Sequence, residues 1–347
     1  MKTLIPEWTT PDSIALVWPE HLRAGTGKLK NFYLSFIDTL LPESSVIIIV
    51  QNEKDADFIN SRFSKSVKPE IVLIPEISDI WIRDFGPQFY SVEGKAWSFF
   101  FNYQPNYFHT SFQNEIMDNN NKAGRKFAGK LGYKKFEIIK VKGTDLNLDG
   151  GNFVHNGAGT ALVSNRIITD NENLLIEDVR ETFRTELGID HLIIVPTEPY
   201  DDTGHMDGAV RFINENTVLV SKYPDSAEDK SRIWSDTVAG HLQCLKFDVI
   251  RIVNNLPREG RYSYKKAEGT LEFFENAWGN YLNFLRIGNT FYLPQYQGQG
   301  DLNQKVIKTI EDIRGSKVIP VEIPDELSAY GGLLNCITLP LFFNSVK

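Results

Sequence analysis

Cys336 follows Gly331-Gly332, which allow close backbone approach, and precedes the strand-like Ile337-Thr338-Leu339, making its thiol the sequence's leading candidate nucleophile. His205 and Asp207 stand two apart in Gly204-His205-Met206-Asp207, a spacing that on a strand puts both side chains on one face. Asp84, Asp149 and Asn283 each precede a strand-like run in the same way. A thiol, an imidazole and two or three carboxylates suit one electrophile in particular. A neutral amide needs an oxyanion hole rather than added negative charge. A planar, cationic guanidinium instead gives two carboxylates paired N–H donors to accept and brings its central carbon beside the sulfur. Its charge also favours thiolate over thiol, lowering a reference pKa of roughly 8.5. His205 would then protonate departing ammonia and later activate water. Each residue alone has a plainer reading: Cys336 as a small buried apolar side chain, His205 as a turn histidine, the acids as turn caps. Neither His-x-x-x-His nor paired-cysteine spacing supports a metal site, and Cys244, inside a helix-like stretch, reads as packing.

For these residues to meet, the chain must repeat a module. Asp84 to Tyr90 leads through Glu93-Gly94 to Ala96–Phe101, Gly150 to Val154 through Asn156-Gly157 to Thr160–Val163, Asp207 to Phe212 through Asn214 to Thr217–Val220, and Tyr281 to Leu285 through Gly288-Asn289 to Thr290–Leu293. Each reads as strand, turn, strand, with Gly or Asn where positive φ is needed. Cys336 begins a fifth, terminal copy. Asp84, Asp149, Asp207, Asn283 and Cys336 are separated by 65, 58, 76 and 53 residues, so a hairpin plus a strand and helix recurs at near-regular intervals. Further strands are expected at Val46–Val50, Ile71–Ile74, Phe136–Val141, His191–Val195, Phe247–Val253 and Lys317–Ile323. Helices are expected at Gly27–Leu41, Asn121–Leu131, Asn173–Leu187 and Leu302–Ile313. This is an α/β pattern of modules set around an axis, propeller fashion, with the same end of each pointing to the centre.

With 347 residues, 41% hydrophobic and 24% charged, the composition is that of a globular protein. A net charge of -8 and no dense basic stretch argue against nucleic acid as partner. No linker-like or low-complexity tract divides the chain, so residues 1–347 read as one domain. Pro6, Glu7, Pro11 and Asp12 break the N-terminal apolar residues, no run approaches the roughly 20 residues that span a bilayer, and two cysteines make no disulfide framework. A cytoplasmic location without membrane partners is expected. The segment Phe99–Phe112, with Tyr103, Tyr107, Phe108 and His109, reads equally as a loop shielding a site or as a surface loop packed by its own aromatics.

Trp81-Ile82-Arg83-Asp84-Phe85-Gly86-Pro87, Asp149-Gly150-Gly151-Asn152, Gly204-His205-Met206-Asp207, Tyr281-Leu282-Asn283-Phe284, Leu293-Pro294-Gln295-Tyr296 and Gly331 to Thr338 together resemble the agmatine deiminase and bacterial-type peptidylarginine deiminase family, within the guanidino-group-modifying superfamily. The resemblance runs from Trp18-Pro19-Glu20 to the C-terminus in the family's order. It implies a five-bladed α/β propeller (pentein-type) of ββαβ-like modules around a central site. It also implies metal-free, cofactor-free hydrolysis of a guanidine to a ureido group plus ammonia, through a covalent thiouronium. Position by position, Cys336 matches the nucleophile, His205 the general acid/base, and Asp84 and Asp207 the carboxylates that grip the guanidinium. Trp81 matches a residue lining the substrate pocket, and Asn283 an active-site asparagine. Asp149 stands where agmatine deiminases usually have Glu partnering the histidine, and its shorter arm would weaken that contact or require a shifted backbone. Asn335 replaces a common His, Leu333-Leu334 a Gly-Asn-Ile-like run, and Gly208 a usual Asn, so the pocket wall beside the sulfur is expected to differ.

The leading expectation is agmatine to N-carbamoylputrescine plus ammonia. Peptidylarginine deimination comes next, then arginine deiminase or amidinotransferase chemistry, and last a propeller that binds cations without turnover. The expected partner is a small cationic guanidine, with homo-oligomerisation left open.

Overall fold

The computed structural model describes residues 2–19, 27–63, 67–107, 113–133, 136–199, 201, 203–255, 262–265, 271–274 and 276–343. Strands and helices alternate in an α/β fold, and among the described residues five sheets contain three or four strands each, beside two short two-stranded pieces. No described helix is long and apolar enough to cross a membrane.

One plan runs through the five sheets. Two strands pair antiparallel, and a helix returns the chain to a third strand parallel to the second. Val154–His155, Thr160–Ser164 and His191–Val195 follow it, as do Val210–Phe212, Thr217–Lys222 and Asp248–Val253. Leu285–Ile287, Thr290–Gln295 and Lys317–Glu322 repeat it. Gln88–Val92, Lys95–Phe100 and Phe136–Ile138 do so with Thr3–Leu4 added at one edge. The last sheet is assembled from both ends of the chain. Thr338–Leu341 pairs antiparallel with Ser13–Val17, which continues in parallel to Ser45–Val50 and Glu70–Leu73. The copy beginning at Cys336 is therefore completed by N-terminal residues.

Local chemistry explains these elements. Glu93 (φ 51°) and Gly94 (φ 75°) form the tight turn between Gln88–Val92 and Lys95–Phe100. Ile176–Leu187 buries Val179, Phe183 and Leu187 at four-residue spacing, starts with Glu177 and Asp178, and stops at left-handed Gly188. The Asn52 side chain caps Glu53–Arg62, a helix the sequence pattern did not single out, by accepting from the Asp55 N–H at 3.0 Å. Ser45–Val50, flanked by parallel strands, is buried at five consecutive residues, so it reads as a continuous apolar run rather than an alternation.

Three expectations need correction. The helix expected at Asn121–Leu131 spans Gln113–Lys130. It runs through the weak helix formers Asn120 and Asn121, whose amides serve other segments: Asn121 brackets the Tyr103 N–H and C=O at 3.0 and 2.7 Å, and Asn120 accepts from the Ser78 N–H at 3.0 Å. The strand expected at Phe136–Val141 is two, Phe136–Ile138 and Lys140–Val141, the second turning back onto Thr144–Asp145 through left-handed Lys142 and Gly143. His205 and Asp207 do not lie on a strand. Asp207 occupies a turn closed by Ala209 and Val210 N–H donation to the Met206 carbonyl, His205 directly precedes that turn, and the strand starts at Val210.

Candidate active site

The residues singled out by sequence occupy equivalent places in the modules. Asp84 lies in the one-turn helix Ile82–Phe85 ahead of Gln88–Val92, and Asp149 directly precedes the 3₁₀ turn Gly150–Asn152 ahead of Val154–His155. His205 and Asp207 precede Val210–Phe212, Asn283 precedes Leu285–Ile287, and Cys336 precedes Thr338–Leu341. Each of the five sheets thus contributes from the N-terminal end of one hairpin strand. In those turns the side chains are not committed to the alternation of a pleated strand and can converge.

They do converge, and all are buried. His205 Nε2 lies 2.9 Å from Asp149 Oδ2, so Nε2 carries the proton and donates, while Nδ1 lies 3.6 Å from Asp84 Oδ1. The shorter arm of Asp149 therefore reaches the imidazole without a lengthened contact. Burial works against the charged imidazole, but Asp84 and the hydrogen-bonded Asp149 outweigh it and hold His205 protonated up to about 10. Asp84 is pushed up by burial and by Asp149 and Asp207, against His205 and the Gly151 N–H, which donates to its Oδ1 at 3.0 Å. Asp207 is likewise raised by burial, with Asn335 Nδ2 donating to its Oδ2 at 2.6 Å.

Cys336 Sγ lies 3.9 Å from Asp207 Oδ2 and accepts from Asn283 Nδ2 at 3.1 Å. Burial, Asp207 and Asp84 all push its thiol upward. Trp81, Asp84, His205, Asp207, Asn283 and Cys336 all line one cavity of about 140 Å³. Asp149 stands behind the imidazole. Cys244 is exposed and forms no part of this set. Among the described residues no group of three or more His, Cys, Asp or Glu is arranged to hold a metal ion.

Sequence reasoning missed several participants. The Tyr107 hydroxyl donates to Asp149 Oδ2 at 3.0 Å, its ring meets His205 edge-on at 6.0 Å, and Arg166 lies 4.9 Å from the ring. The aromatic segment that raised the idea of a shield thus splits: Tyr107 lines the site, Tyr103 is core, and Phe108 and His109 lie outside the described residues. Arg83 braces the peptide that carries Cys336, its N–H donating to the Cys336 carbonyl at 3.3 Å and its Nε to the Asn335 carbonyl at 3.3 Å. Glu198 and Asp201 line the same cavity, Glu198 accepting from the Tyr223 hydroxyl and Asp201 Oδ1 from the Thr203 N–H at 2.8 Å. The acids of Glu198-Pro199-Tyr200-Asp201, just upstream of His205, were the available signal.

Solved structures that superpose on this chain include agmatine deiminases. The C. jejuni agmatine deiminase superposes with a TM-score of 0.80 at 20% identity, covering 100% of this chain and 98% of that one. The agmatine deiminase of Enterococcus faecalis does so with 0.78 at 17% identity, covering 98% and 95%. The agmatine deiminase of Pseudomonas fluorescens is 21% identical over 357 residues, 96% of this chain and 93% of its own. A relative from Streptococcus mutans serotype c matches more locally, 27% identical over 218 residues, so the chain spans a little over half (58%) of that relative's length. The family model described as Porphyromonas-type peptidyl-arginine deiminase matches residues 3–341, and the chain belongs to that family. It is a hydrolase acting on C–N bonds in linear amidines.

Proposed function

We propose that the protein deiminates agmatine to N-carbamoylputrescine and ammonia through a thiouronium on Cys336, its five sheets forming the blades of a propeller and residues 1–347 one catalytic domain in the cytoplasm. The observation that carries the choice of substrate is the charge of the cavity wall. Asp84 and Asp207 lie beside the thiol, Glu198 and Asp201 add two more carboxylates, and among the described lining residues there is no Lys or Arg. Agmatine brings two positive charges, one at each end. Free arginine brings an α-carboxylate, for which the described wall offers no Lys or Arg and four acids to repel it, while the His205 imidazolium is already engaged by Asp149 and Asp84.

In this reading Asp84 and Asp207 accept the guanidinium N–H groups and hold its carbon next to Cys336 Sγ. The arriving cation offsets the carboxylates that push the thiol up, so Cys336 releases its S–H proton to solvent and the thiolate attacks the carbon. His205, kept protonated by Asp84 and Asp149, gives its proton to the leaving nitrogen; the C–N bond breaks and ammonia departs. The now neutral imidazole takes a proton from water, the resulting hydroxide adds to the thiouronium carbon, and as the added hydroxyl loses its proton to solvent the C–S bond breaks to give the ureido product and thiolate.

Peptidylarginine is the second reading, favoured by the family model's description. Ammonia release from agmatine, free arginine and an arginine-containing peptide decides between them. Agmatine should lead in kcat/KM by about tenfold or more, equivalent to roughly 1.4 kcal/mol. A faster peptide or arginine reaction would overturn the choice of substrate, and no ammonia from any guanidine would overturn deimination.

A further inference from the structure

Asn283 lines the cavity, and its side chain is engaged by the segment that carries Cys336. Its Oδ1 accepts from two consecutive backbone N–H groups, those of Asn335 at 3.1 Å and Cys336 at 3.3 Å. Two donors facing one end of the carboxamide fix which end is oxygen, so the NH₂ end must face the sulfur. It does, at 3.1 Å from Cys336 Sγ. The main chain of Asn283 is held as well, its carbonyl accepting from the Asn335 N–H at 3.2 Å and its N–H donating to Asn280 Oδ1 at 3.3 Å. Asn280 in turn occupies space beside Gly208, where an added Cβ would lie 2.7 Å from its Nδ2.

We propose that Asn283 is a catalytic residue that acts on the enzyme's sulfur rather than on the substrate: its carboxamide N–H stabilises the Cys336 thiolate, while its carbonyl oxygen fixes the peptide that carries it.

The surroundings show why such a donor matters. Asp207 and His205 face the sulfur from the turn before Val210–Phe212, and Asp84 and Arg83 from Ile82–Phe85. Burial and the two aspartates disfavour a charged sulfur, Arg83 favours it from behind the Asn335–Cys336 peptide, and His205 is paired with Asp149 and Asp84. The groups that hydrogen-bond the sulfur and favour its charge are the Leu333 backbone and Asn283. A hydrogen bond to an ionised group in such a site corresponds to a shift of about one to two pH units in the thiol's titration.

The inference rests on Cys336 being the nucleophile, but its test reads the thiol itself and needs no turnover. In a Cys244→Ser background Cys336 is the sole thiol, so thiolate absorbance and iodoacetamide alkylation as a function of pH report on it alone. Asn283→Asp keeps the shape and the acceptor but removes the donor and adds charge; Asn283→Ala removes both ends. The titration midpoint should rise by about one to two pH units or more in Asn283→Asp, and by about one in Asn283→Ala, with alkylation at neutral pH slowed about tenfold. An unmoved midpoint in folded Asn283→Asp, or a shift there with none in Asn283→Ala, would overturn the proposal, the second outcome leaving only added charge as the cause. Should Asn283→Asp fail to fold, the Asn283→Ala midpoint decides alone. Loss of ammonia release with an unshifted midpoint likewise counts against it, because that pattern belongs to a substrate contact.

Discussion

At the scale of single residues the site is a set of like charges held together by one imidazole, and its variants should separate catalysis from stability. Cys336→Ala should lower ammonia release on the order of a thousandfold or more while the protein stays folded and still binds a guanidine, because both carboxylates remain. Cys244→Ala, altering an exposed thiol, should be silent in the same assay. Asp84→Asn and Asp207→Asn should each cost about 3–5 kcal/mol in kcat/KM, as when one partner of a buried charge pair is removed. Their melting temperatures should not fall in parallel, since burial already disfavours both charges. Destabilised but fully active variants would mean that these aspartates only cap turns. His205 gives a pH signature. Its folded pKa lies above the ordinary 6.5, at about 10, so the folded state binds this proton more tightly than the unfolded state does. Its contribution to stability is complete below pH 6.5 and is lost as pH rises through about 10. Thermal melts across that window should decline in the parent protein and flatten in His205→Gln.

At the scale of elements, the turns that aim the side chains depend on glycines for two different reasons. At Gly332 an added Cβ would meet the Trp81 ring at 2.4 Å and Cys336 Cβ at 3.0 Å, so Gly332→Ala pushes on an indole that lines the cavity. At Gly150 it would meet the Arg83 carbonyl oxygen at 2.0 Å, which is backbone joining the turns that carry Asp84 and Asp149. Gly332→Ala should therefore raise KM or lower kcat with little change in melting temperature. Gly150→Ala should lower the melting temperature sharply, because no side-chain rotation relieves the clash. Equal melting temperatures for the two would contradict this division between side-chain and backbone contacts.

At the scale of the whole molecule, buried arginines tie neighbouring sheets together. Arg211, on Val210–Phe212, donates to Glu7 Oε2 through Nε and Nη2 at 2.9 and 2.7 Å. Its Nη1 reaches the Leu282 and Phe284 carbonyls, on either side of Asn283, at 3.0 and 2.9 Å. Arg286 returns the tie by donating to the Ile213 carbonyl at 2.8 Å. Glu7 thus links the N-terminal segment to the sheets that carry Asp207 and Asn283. Glu7→Gln leaves the buried Arg211 without its countercharge and should destabilise the protein on the order of 2–3 kcal/mol in denaturant unfolding. An unchanged midpoint would show the carboxylate to be dispensable.

The sequence by itself determined the α/β alternation, the recurrence of hairpins and the identity of the residues that meet. Those features are local: β-branched runs, Gly and Asn at positive-φ turns, and polar residues immediately ahead of strands. It did not determine that Asp149 reaches His205, that Tyr107 shares the same carboxylate, or that Asn283 turns its amide to the sulfur, because each depends on a distance between segments remote in sequence. The two-residue spacing of His205 and Asp207 misled for the same reason. It fits a strand, but the chain is still turning there, bound by the Met206 and Asp207 N–H groups to the Gly151 carbonyl of another module at 3.1 and 3.0 Å. The pairing of Ser13–Val17 with Thr338–Leu341 was equally invisible, since neither run reveals that the opposite end of the chain supplies its partner. Residue type fixes what chemistry a side chain can do; only the packing of sheets against one another fixes which carboxylate, amide or thiol lies within 3 to 4 Å of it.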